Sequence, residues 1–336
     1  MSDEAAMARA VHLASRGLGA TSTNPVVGAV VLDAAGEPAG EGWHARRGGP
    51  HAEVVALGAA GGRAQGGTMV VTLEPCAHTG RTSPCTEAML AAGISRMVYA
   101  VADTSTGAGG ATVLRTAGVD VVAGVLADAA ARGNEAWLLA ERLGRPFVTW
   151  KTATTLDGRI AAADGSSRWI TGPAARADAH ALRGQVDAVL VGAGTVLADD
   201  PRLTARDAAG EPAGRQPLRV VADRRGRVPA GARVLDGSAP TLVCTSPDPA
   251  TLLSDLYGRD VRHVLLEGGA TLAGSFVRAA LVDRLVAYVA PALLGGGPAA
   301  LADAGITTIN EACRLRIDDV ALVGSDVRIT ARPESG

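Results

Sequence analysis

The sequence predicts an α/β fold in two domains. Short apolar runs of strand length alternate with amphipathic segments of helical length, the pattern typical of helices packed on both faces of a largely parallel sheet. The chain has 336 residues, a length typical of about two domains. Gly144-Arg145-Pro146 interrupts the alternation. We therefore expect one domain over residues 1–144 and another over residues 147–336.

Local signals assign the elements in chain order. Ser2 can cap a helix that ends near Arg16, and apolar residues recur at helical spacing within it. An Asn24-Pro25 turn opens the first strand, and Pro84 suits the first turn of a helix. In the first half we expect further helices near 51–60, 84–93 and 128–142, and strands at 26–32, 69–73, 97–101 and 119–122. In the second half we expect helices beginning near 171–173 and 271, and strands at 147–152, 188–191, 218–222, 241–244, 264–267 and 285–289.

Composition excludes several classes of protein. Hydrophobic residues make up 47% and aromatic residues 3% of the chain, so the cores must consist mainly of Val, Leu, Ile and Ala. The net charge of −2, with no basic block, argues against a nucleic-acid partner. No apolar run is long enough to cross a membrane, the N-terminus is acidic, and four cysteines do not make a disulfide framework. We therefore expect a cytoplasmic protein.

The most informative feature is a set of metal-binding residue types. His51-Ala52-Glu53 is followed by Pro75-Cys76 and Pro84-Cys85. One imidazole and two thiols suit Zn²⁺ and leave a fourth position open for water, whose protons a non-ligating Glu can move. The alternative is a closed structural zinc site, with His44 or His78 as the fourth ligand. The sequence favours the catalytic site.

Lys151 is a second distinctive residue. It is the only lysine among the 32 basic residues of the chain. Arg is planar and bulkier than Lys, so a site that needs a compact ammonium would not accept it. Chance retention of a single lysine at a strand end is the alternative.

Residues 1 to about 144 resemble the cytidine-deaminase superfamily, and more narrowly the deaminase half of the bifunctional deaminase/reductase family of riboflavin biosynthesis. The long spacing between the two cysteines is typical of that family. The matching segments are Asn24-Pro25-Val26-Val27-Gly28, Gly42-Trp43-His44, Pro50-His51-Ala52-Glu53, Thr72-Leu73-Glu74-Pro75-Cys76 and His78-Thr79-Gly80-Arg81-Thr82-Ser83-Pro84-Cys85.

This resemblance implies roles for individual residues of the first half. Glu53 would be the proton shuttle. The implied zinc ligands are His51, Cys76 and Cys85, and the implied substrate contacts are Asn24, His44, His78 and Arg81. The chain departs from the family at Asp103-Thr104-Ser105-Thr106, where Asp-Pro-Asn-Pro is frequent, so the substrate contacts of this turn-prone loop stay open.

Residues 147 to about 330 resemble the reductase half of the same family. The turn Glu267-Gly268-Gly269 before a helix suits a phosphate group, whereas the absence of a GxGxxG motif disfavours a Rossmann domain. The resemblance implies NADPH contacts at Ala153, Trp169, Thr195, Asp199, Gly269, Ala270, Thr271, Leu272, Ala273, Gly274 and Ser275. It implies contacts to a ribosyl-phosphate substrate at Lys151, Ser167, Arg183, Leu203, Arg206 and Glu267. Trp169 has core packing as its alternative role.

The resemblance thus implies a cytidine-deaminase-like α/β/α sandwich followed by a dihydrofolate-reductase-like α/β domain, in a homo-oligomer that uses Zn²⁺ and NADPH. The first domain would remove the 2-amino group of 2,5-diamino-6-(5-phosphoribosylamino)pyrimidin-4(3H)-one by hydrolysis. The second would reduce the ribosyl chain to give 5-amino-6-(5-phosphoribitylamino)uracil. Three alternatives stay open: a deaminase of another nucleobase or of RNA, a reductase with a structural zinc site, and a binding protein without enzymatic activity.

Overall fold

The computed structural model describes residues 1–78, 83–105, 107–207, 209–246 and 248–334. Two compact units divide the chain, Met1–Leu143 and Gly144–Gly336. Within the described residues, every helix is too short or too polar to cross a lipid bilayer. Each unit has its own sheet and its own apolar clusters.

The first unit is an α/β/α sandwich. Its helices are α1 (Asp3–Ser15), α2 (Ala52–Ala60), α3 (Cys85–Ala91), α4 (Gly110–Thr116), α5 (Ala127–Gly133) and α6 (Glu135–Leu143). Its strands are β1 (Gly28–Leu32), β2 (Pro38–Trp43), β3 (Thr68–Leu73), β4 (Arg96–Val101) and β5 (Asp120–Ala123). One apolar cluster joins α2, α3 and α4 to one face of the sheet, and another joins α1 and α5 to the opposite face.

The sheet of this unit has the strand order β2-β1-β3-β4-β5. Strand β1 is antiparallel to β2 and to β3, whereas β3, β4 and β5 are parallel. The sheet is therefore mixed rather than largely parallel. The difference arises from β2, which the sequence analysis missed because its Pro and two Gly residues are unfavourable in strands.

The prediction of a single helix near 128–142 is wrong, because α5 and α6 are separated at Asn134. The buried Asn134 amide accepts a hydrogen bond from the Val26 N–H at 2.8 Å and donates one to the Val26 carbonyl at 2.7 Å. These bonds join Asn134 to a residue that is distant in the sequence. An Asn side chain also disfavours the interior of a helix, so the chain is interrupted here.

The second unit has a sheet with the order β12-β13-β11-β6-β10-β7-β8-β9. Its strands are β6 (Phe147–Thr155), β7 (Ala188–Gly192), β8 (Leu218–Ala222), β9 (Thr241–Cys244), β10 (His263–Leu266), β11 (Arg284–Ala290), β12 (Leu315–Val323) and β13 (Asp326–Pro333). Its helices are α7 (Pro173–Gln185), α8 (Ala193–Asp199), α9 (Pro249–Gly258) and α10 (Ala270–Arg278). From β11 to β9 all neighbouring strands are parallel, and the hairpin β12–β13 adds antiparallel strands at one edge.

The expected strands of this unit are present, but the sequence analysis missed the hairpin β12–β13. The pairing register of β12 shifts between Ile317 and Asp319. That irregularity breaks the alternation of apolar and polar residues by which a strand is recognised.

Helix α1 lies directly against β1 at Gly28. A Cβ atom on Gly28 would lie 2.0 Å from the Ala10 carbonyl oxygen and 2.7 Å from the Ala14 nitrogen. Both atoms belong to the backbone, so neither can rotate away. By contrast, a Cβ atom on Gly58, an exposed residue of α2, would meet no atom within 4 Å.

These two glycines give a matched stability test. We expect Gly28→Ala to destabilise the first unit by about 1–3 kcal/mol, the usual cost of overpacking. Gly58→Ala should stabilise it by about 0.5–1 kcal/mol through helix propensity. Calorimetric unfolding of the two variants and the wild type measures both effects. A Gly28→Ala protein that unfolds at the wild-type temperature would contradict the close approach of α1.

Candidate functional site

Three segments of the first unit bring metal-ligand atoms together. His51 immediately precedes α2, Cys76 follows β3, and Cys85 begins α3. His51 Nδ1 lies 3.2 Å from Cys85 Sγ and 3.7 Å from Cys76 Sγ. The three ligand atoms all lie within 4.8 Å of one another, and among the described residues no other group of three or more such side chains is this close.

The trio fits Zn²⁺. Zn–S and Zn–N bonds of normal length in a tetrahedron separate the ligand atoms by about 3.5–3.8 Å, close to the distances above. One imidazole with two sulfurs is a donor set that zinc prefers. His44 does not serve as a fourth ligand, because Nδ1 is hydrogen bonded to the Pro50 carbonyl at 2.9 Å and Nε2 to Asn24 Nδ2 at 3.2 Å. Three ligands with an open position are typical of a catalytic site.

The protein environment favours a thiolate at Cys76. The hydrogen bond from the Cys85 thiol lowers the pKa of Cys76 to about 4, against burial and with help from His51 and the Cys85 N–H. That N–H lies 3.4 Å from Cys76 Sγ, at the first turn of α3. The contact between the two sulfurs also raises the pKa of Cys85, so the two sulfurs share one proton, which a bound metal would displace.

Glu53 lies in the first turn of α2 and is 3% exposed. Burial raises its pKa above the ordinary value for a glutamate. A carboxyl group in this environment accepts a proton more readily than one in water, which suits a proton carrier beside the metal ligands.

A cavity of about 430 Å³ opens beside the trio. Its volume is that of a small-molecule site. The lining includes the predicted residues Asn24, His44, His51, Glu53, Cys76 and His78. The predicted contact Arg81 lies outside the described residues.

Other residues of the lining were missed by the sequence analysis. Helix α6 contributes Trp137 and Glu141, and the segment after β4 contributes Asp103, Ser105 and Gly107. Trp137 and Glu141 are four positions apart and so lie on one face of a helix. The sequence therefore indicates that these two side chains lie together. It does not indicate which part of the fold this face of the helix contacts.

Glu74 is a further missed residue of this cavity. It is 9% exposed, and its carboxylate accepts hydrogen bonds from the Asp103 N–H at 3.2 Å and from the Ala111 N–H at 3.0 Å. Glu74 therefore joins both ends of the segment that carries Ser105 and Gly107. The sequence signal for Glu74 was its position as an acidic residue between an apolar run and Pro75.

In the second unit, Lys151, Arg183 and Glu267 form a charged cluster. Strands β6 and β10 are parallel with Leu266 opposite Trp150, a register that places Glu267 beside Lys151. Arg183, on α7, donates from Nε and Nη2 to the two Glu267 carboxylate oxygens at 2.6 and 2.9 Å. Lys151 Nζ lies 3.8 Å from Glu267 Oε2.

Burial and ion pairing shift the pKa values of Lys151 and Glu267 in opposite directions. Burial opposes ionisation of Glu267, but the charge and hydrogen bonds of Arg183 outweigh it and hold the pKa of Glu267 at about 2. Burial also lowers the pKa of Lys151, and Glu267 partly offsets that effect. The cluster thus holds one ammonium that releases its proton more readily than a free lysine.

The predicted residues 203–206 lie close to this cluster. Arg183 Nη1 and His180 Nδ1 bond the Thr204 carbonyl at 3.2 and 3.1 Å. Leu203 is buried, and Arg206 donates to the Gly210 carbonyl at 2.7 Å. The hydrogen bonds and ion pairs of the described residues do not connect Ser167, Ala153 or Trp169 to the cluster.

Of the predicted cofactor residues, Thr195 and residues 269–275 lie at the start of α10. Gly269 is the N-cap of α10, and its N–H donates to Thr195 Oγ1 at 3.2 Å. Ala270, Thr271 and Leu272 form the accessible first turn, whereas Ala273 and Gly274 are buried and Ser275 Oγ donates to the Leu272 carbonyl.

Trp169 and Asp199 lie on the surface side of the same unit. Trp169 is 69% exposed, which excludes core packing, and Arg176 Cζ lies 4.5 Å from its ring centroid. The Asp199 carbonyl accepts a hydrogen bond from Arg168 Nη2.

Comparison with known proteins identifies both halves. Residues 1–101 match the family model of the cytidine and deoxycytidylate deaminase zinc-binding region, and residues 146–329 match that of the RibD C-terminal domain. The chain is 49% identical to riboflavin biosynthesis protein RibD of Mycobacterium tuberculosis over 97% of this chain and 96% of that protein. It is 38% identical to RibD of Escherichia coli over 97% and 98% of the two chains.

Solved structures give the same result. Acinetobacter baumannii RibD superimposes with a TM-score of 0.93 at 39% identity, over 99% of each chain. A diaminohydroxyphosphoribosylaminopyrimidine deaminase/5-amino-6-(5-phosphoribosylamino)uracil reductase from Thermotoga maritima gives a TM-score of 0.91 at 34% identity, again over 99% of each chain. The chain therefore belongs to the RibD family of riboflavin biosynthesis proteins.

Proposed function

We propose that this chain carries out two successive steps of riboflavin biosynthesis. Residues 1–144 deaminate 2,5-diamino-6-(5-phosphoribosylamino)pyrimidin-4(3H)-one, and residues 147–336 reduce the ribosyl chain of the product with NADPH. The observation that carries the proposal is the convergence of His51, Cys76 and Cys85 beside the buried Glu53. Family membership supports the same pair of activities.

The first reaction needs a proton carrier and a means of orienting the pyrimidine. Zn²⁺, when bound by His51, Cys76 and Cys85, lowers the pKa of water to about 7 and so supplies a nucleophile for C2. The Glu53 carboxylate accepts a proton from that water and delivers a proton to the 2-amino group, which leaves as ammonia.

Asn24 is positioned to read an edge of the pyrimidine. Burial lowers the pKa of His44, so its ring is neutral. With Nδ1 donating to the Pro50 carbonyl, Nε2 accepts from Asn24 Nδ2. That bond uses one amide hydrogen and leaves the Asn24 carbonyl oxygen and the other hydrogen for the substrate.

The second reaction needs a charged, positioned proton donor. NADPH, when bound at the start of α10, supplies the hydride for C1′ of the ribosyl group. Lys151 donates a proton to the sugar ring oxygen as the ring opens. Glu267 and Arg183 hold the ammonium in place, since Arg183 fixes the carboxylate that Lys151 faces.

An exposed apolar face of the second unit supports a homo-oligomer, and the unpaired thiols of the chain support a cytoplasmic location. The pairing partners of Leu315, Ile317, Val320 and Leu322 place these four side chains on one face of the hairpin β12–β13. They are 39%, 59%, 59% and 79% exposed, an apolar surface of the kind that a second copy covers. Two thiols in a zinc site and the unpaired Cys244 and Cys313 suit a reducing compartment.

Replacement of Glu53 tests the deaminase. Glu53→Gln should lower ammonia release from the diaminopyrimidine substrate by about 10²–10⁴-fold, the usual contribution of a proton carrier. Zinc content should stay at the wild-type value, and so should NADPH oxidation when the deaminated pyrimidine is supplied as the substrate. Glu87→Gln, at an exposed position in α3, is the matched control. Ammonia release at the wild-type rate by Glu53→Gln would assign the proton transfer to another group.

Replacement of Lys151 tests the reductase. Lys151→Arg keeps the positive charge but changes its shape and prevents proton release. We expect NADPH oxidation to fall by about 100-fold or more, as for other misplaced catalytic groups, while the mass of the deaminated product formed without NADPH is unchanged. Reduction at the wild-type rate would show that Lys151 supplies only charge.

The Glu267 carboxylate predicts how the stability of the second unit depends on pH. Its folded pKa of about 2 lies below the unfolded value of about 4.3. The pairing therefore contributes stability above the unfolded pKa and loses it as the pH falls through the folded pKa. Between about pH 5 and pH 2, the unfolding free energy should fall by about 3 kcal/mol more in the wild type than in Glu267→Gln. Denaturant unfolding across this range measures the difference, and parallel curves for the two proteins would contradict it.

A further inference from the structure

Helix α6 forms a wall of the deaminase cavity that lies outside the matched zinc-binding region. That region ends at residue 101, whereas Trp137 and Glu141 come from residues 135–143. Trp137 is the only Phe, Tyr or Trp among the described lining residues. Aromatic residues make up only 3% of the chain, so an indole in the lining of this cavity is a distinctive feature.

Asn134 joins this wall of the cavity to the segment just before β1. Its buried amide makes two hydrogen bonds to the backbone of Val26, at 2.8 and 2.7 Å. Val26 is two residues beyond Asn24, which lines the same cavity. Trp137 follows Asn134 by three residues, about one helical turn. One amide group therefore sets the position of the indole relative to the side chain that reads the pyrimidine edge.

We propose that Trp137 is a substrate-stacking residue of the deaminase cavity and that Asn134 is its positioning residue. The inference rests on the proposed deaminase function, because the ligand that it requires is the planar diaminopyrimidine ring. Stacking on an indole depends on the flat face of the ring and complements the edge contacts of Asn24.

Alanine and phenylalanine at position 137 separate stacking from packing. Trp137→Ala should raise KM for deamination by about 10- to 100-fold with little change in kcat, because stacking acts equally on bound substrate and transition state. Trp137→Phe should restore a KM near that of the wild type. Leu143→Ala, at an exposed residue of the same helix, is the matched control. Zinc content and the circular-dichroism melting curve report that the first unit of each variant is folded.

Asn134→Asp tests the positioning role. The substitution removes the N–H donor and sets a carboxylate oxygen against the Val26 carbonyl. KM should rise as in Trp137→Ala, and the double variant should have a KM no higher than that of Trp137→Ala, since Asn134 acts through Trp137. Additive effects would overturn the positioning role.

A binding experiment in Glu53→Gln protein completes the test. Adding the diaminopyrimidine ribosyl phosphate should quench tryptophan fluorescence, and the quenching should disappear in Glu53→Gln/Trp137→Phe while binding persists. Normal KM in Trp137→Ala, with wild-type ammonia release intact, would overturn this inference alone. A wild-type protein that releases no ammonia would overturn the proposed function as well.

Discussion

The first unit depends on the convergence of chain segments at the carboxyl end of β3. Cys76 follows this strand, and the helices that begin at His51 and Cys85 start beside it, which brings three ligand atoms within 4.8 Å. Gly110, at the start of α4, reinforces the arrangement, because a Cβ atom there would lie 1.9 Å from the Pro75 carbonyl oxygen. The close packing of α4 against Pro75 therefore helps to fix the position of Cys76.

Glu74 extends this constraint from the ligands to the cavity. Its carboxylate binds backbone N–H groups at both ends of residues 103–111, so the segment is held by the same short stretch that carries Cys76. Two hydrogen bonds to a buried side chain thus anchor the backbone at Asp103 and at Ala111.

Most strands and the His/Cys/Cys trio could be predicted because they depend on local patterns. Apolar runs indicated ten of the thirteen strands that the described residues form, and residue chemistry indicated His51, Cys76 and Cys85. The contacts that complete the cavity depend on sequence-distant partners: Asn134 bonds Val26 across 108 positions, and Glu74 bonds Ala111 across 37. No periodicity encodes such pairs. Strand β2 and the hairpin β12–β13 were missed for a different reason, since glycine and a register shift mask the alternation.

The second unit brings the one lysine of a chain with 31 arginines to the same carboxylate as an arginine. Arg183 neutralises Glu267 through two hydrogen bonds and cannot release a proton at any physiological pH. Lys151 faces the same carboxylate at a longer distance, 3.8 Å, and burial lowers its pKa. In the proposed reductase, the guanidinium therefore fixes the carboxylate, and the ammonium is the group that transfers a proton. A second arginine at position 151 would leave the site charged but without a donor that titrates.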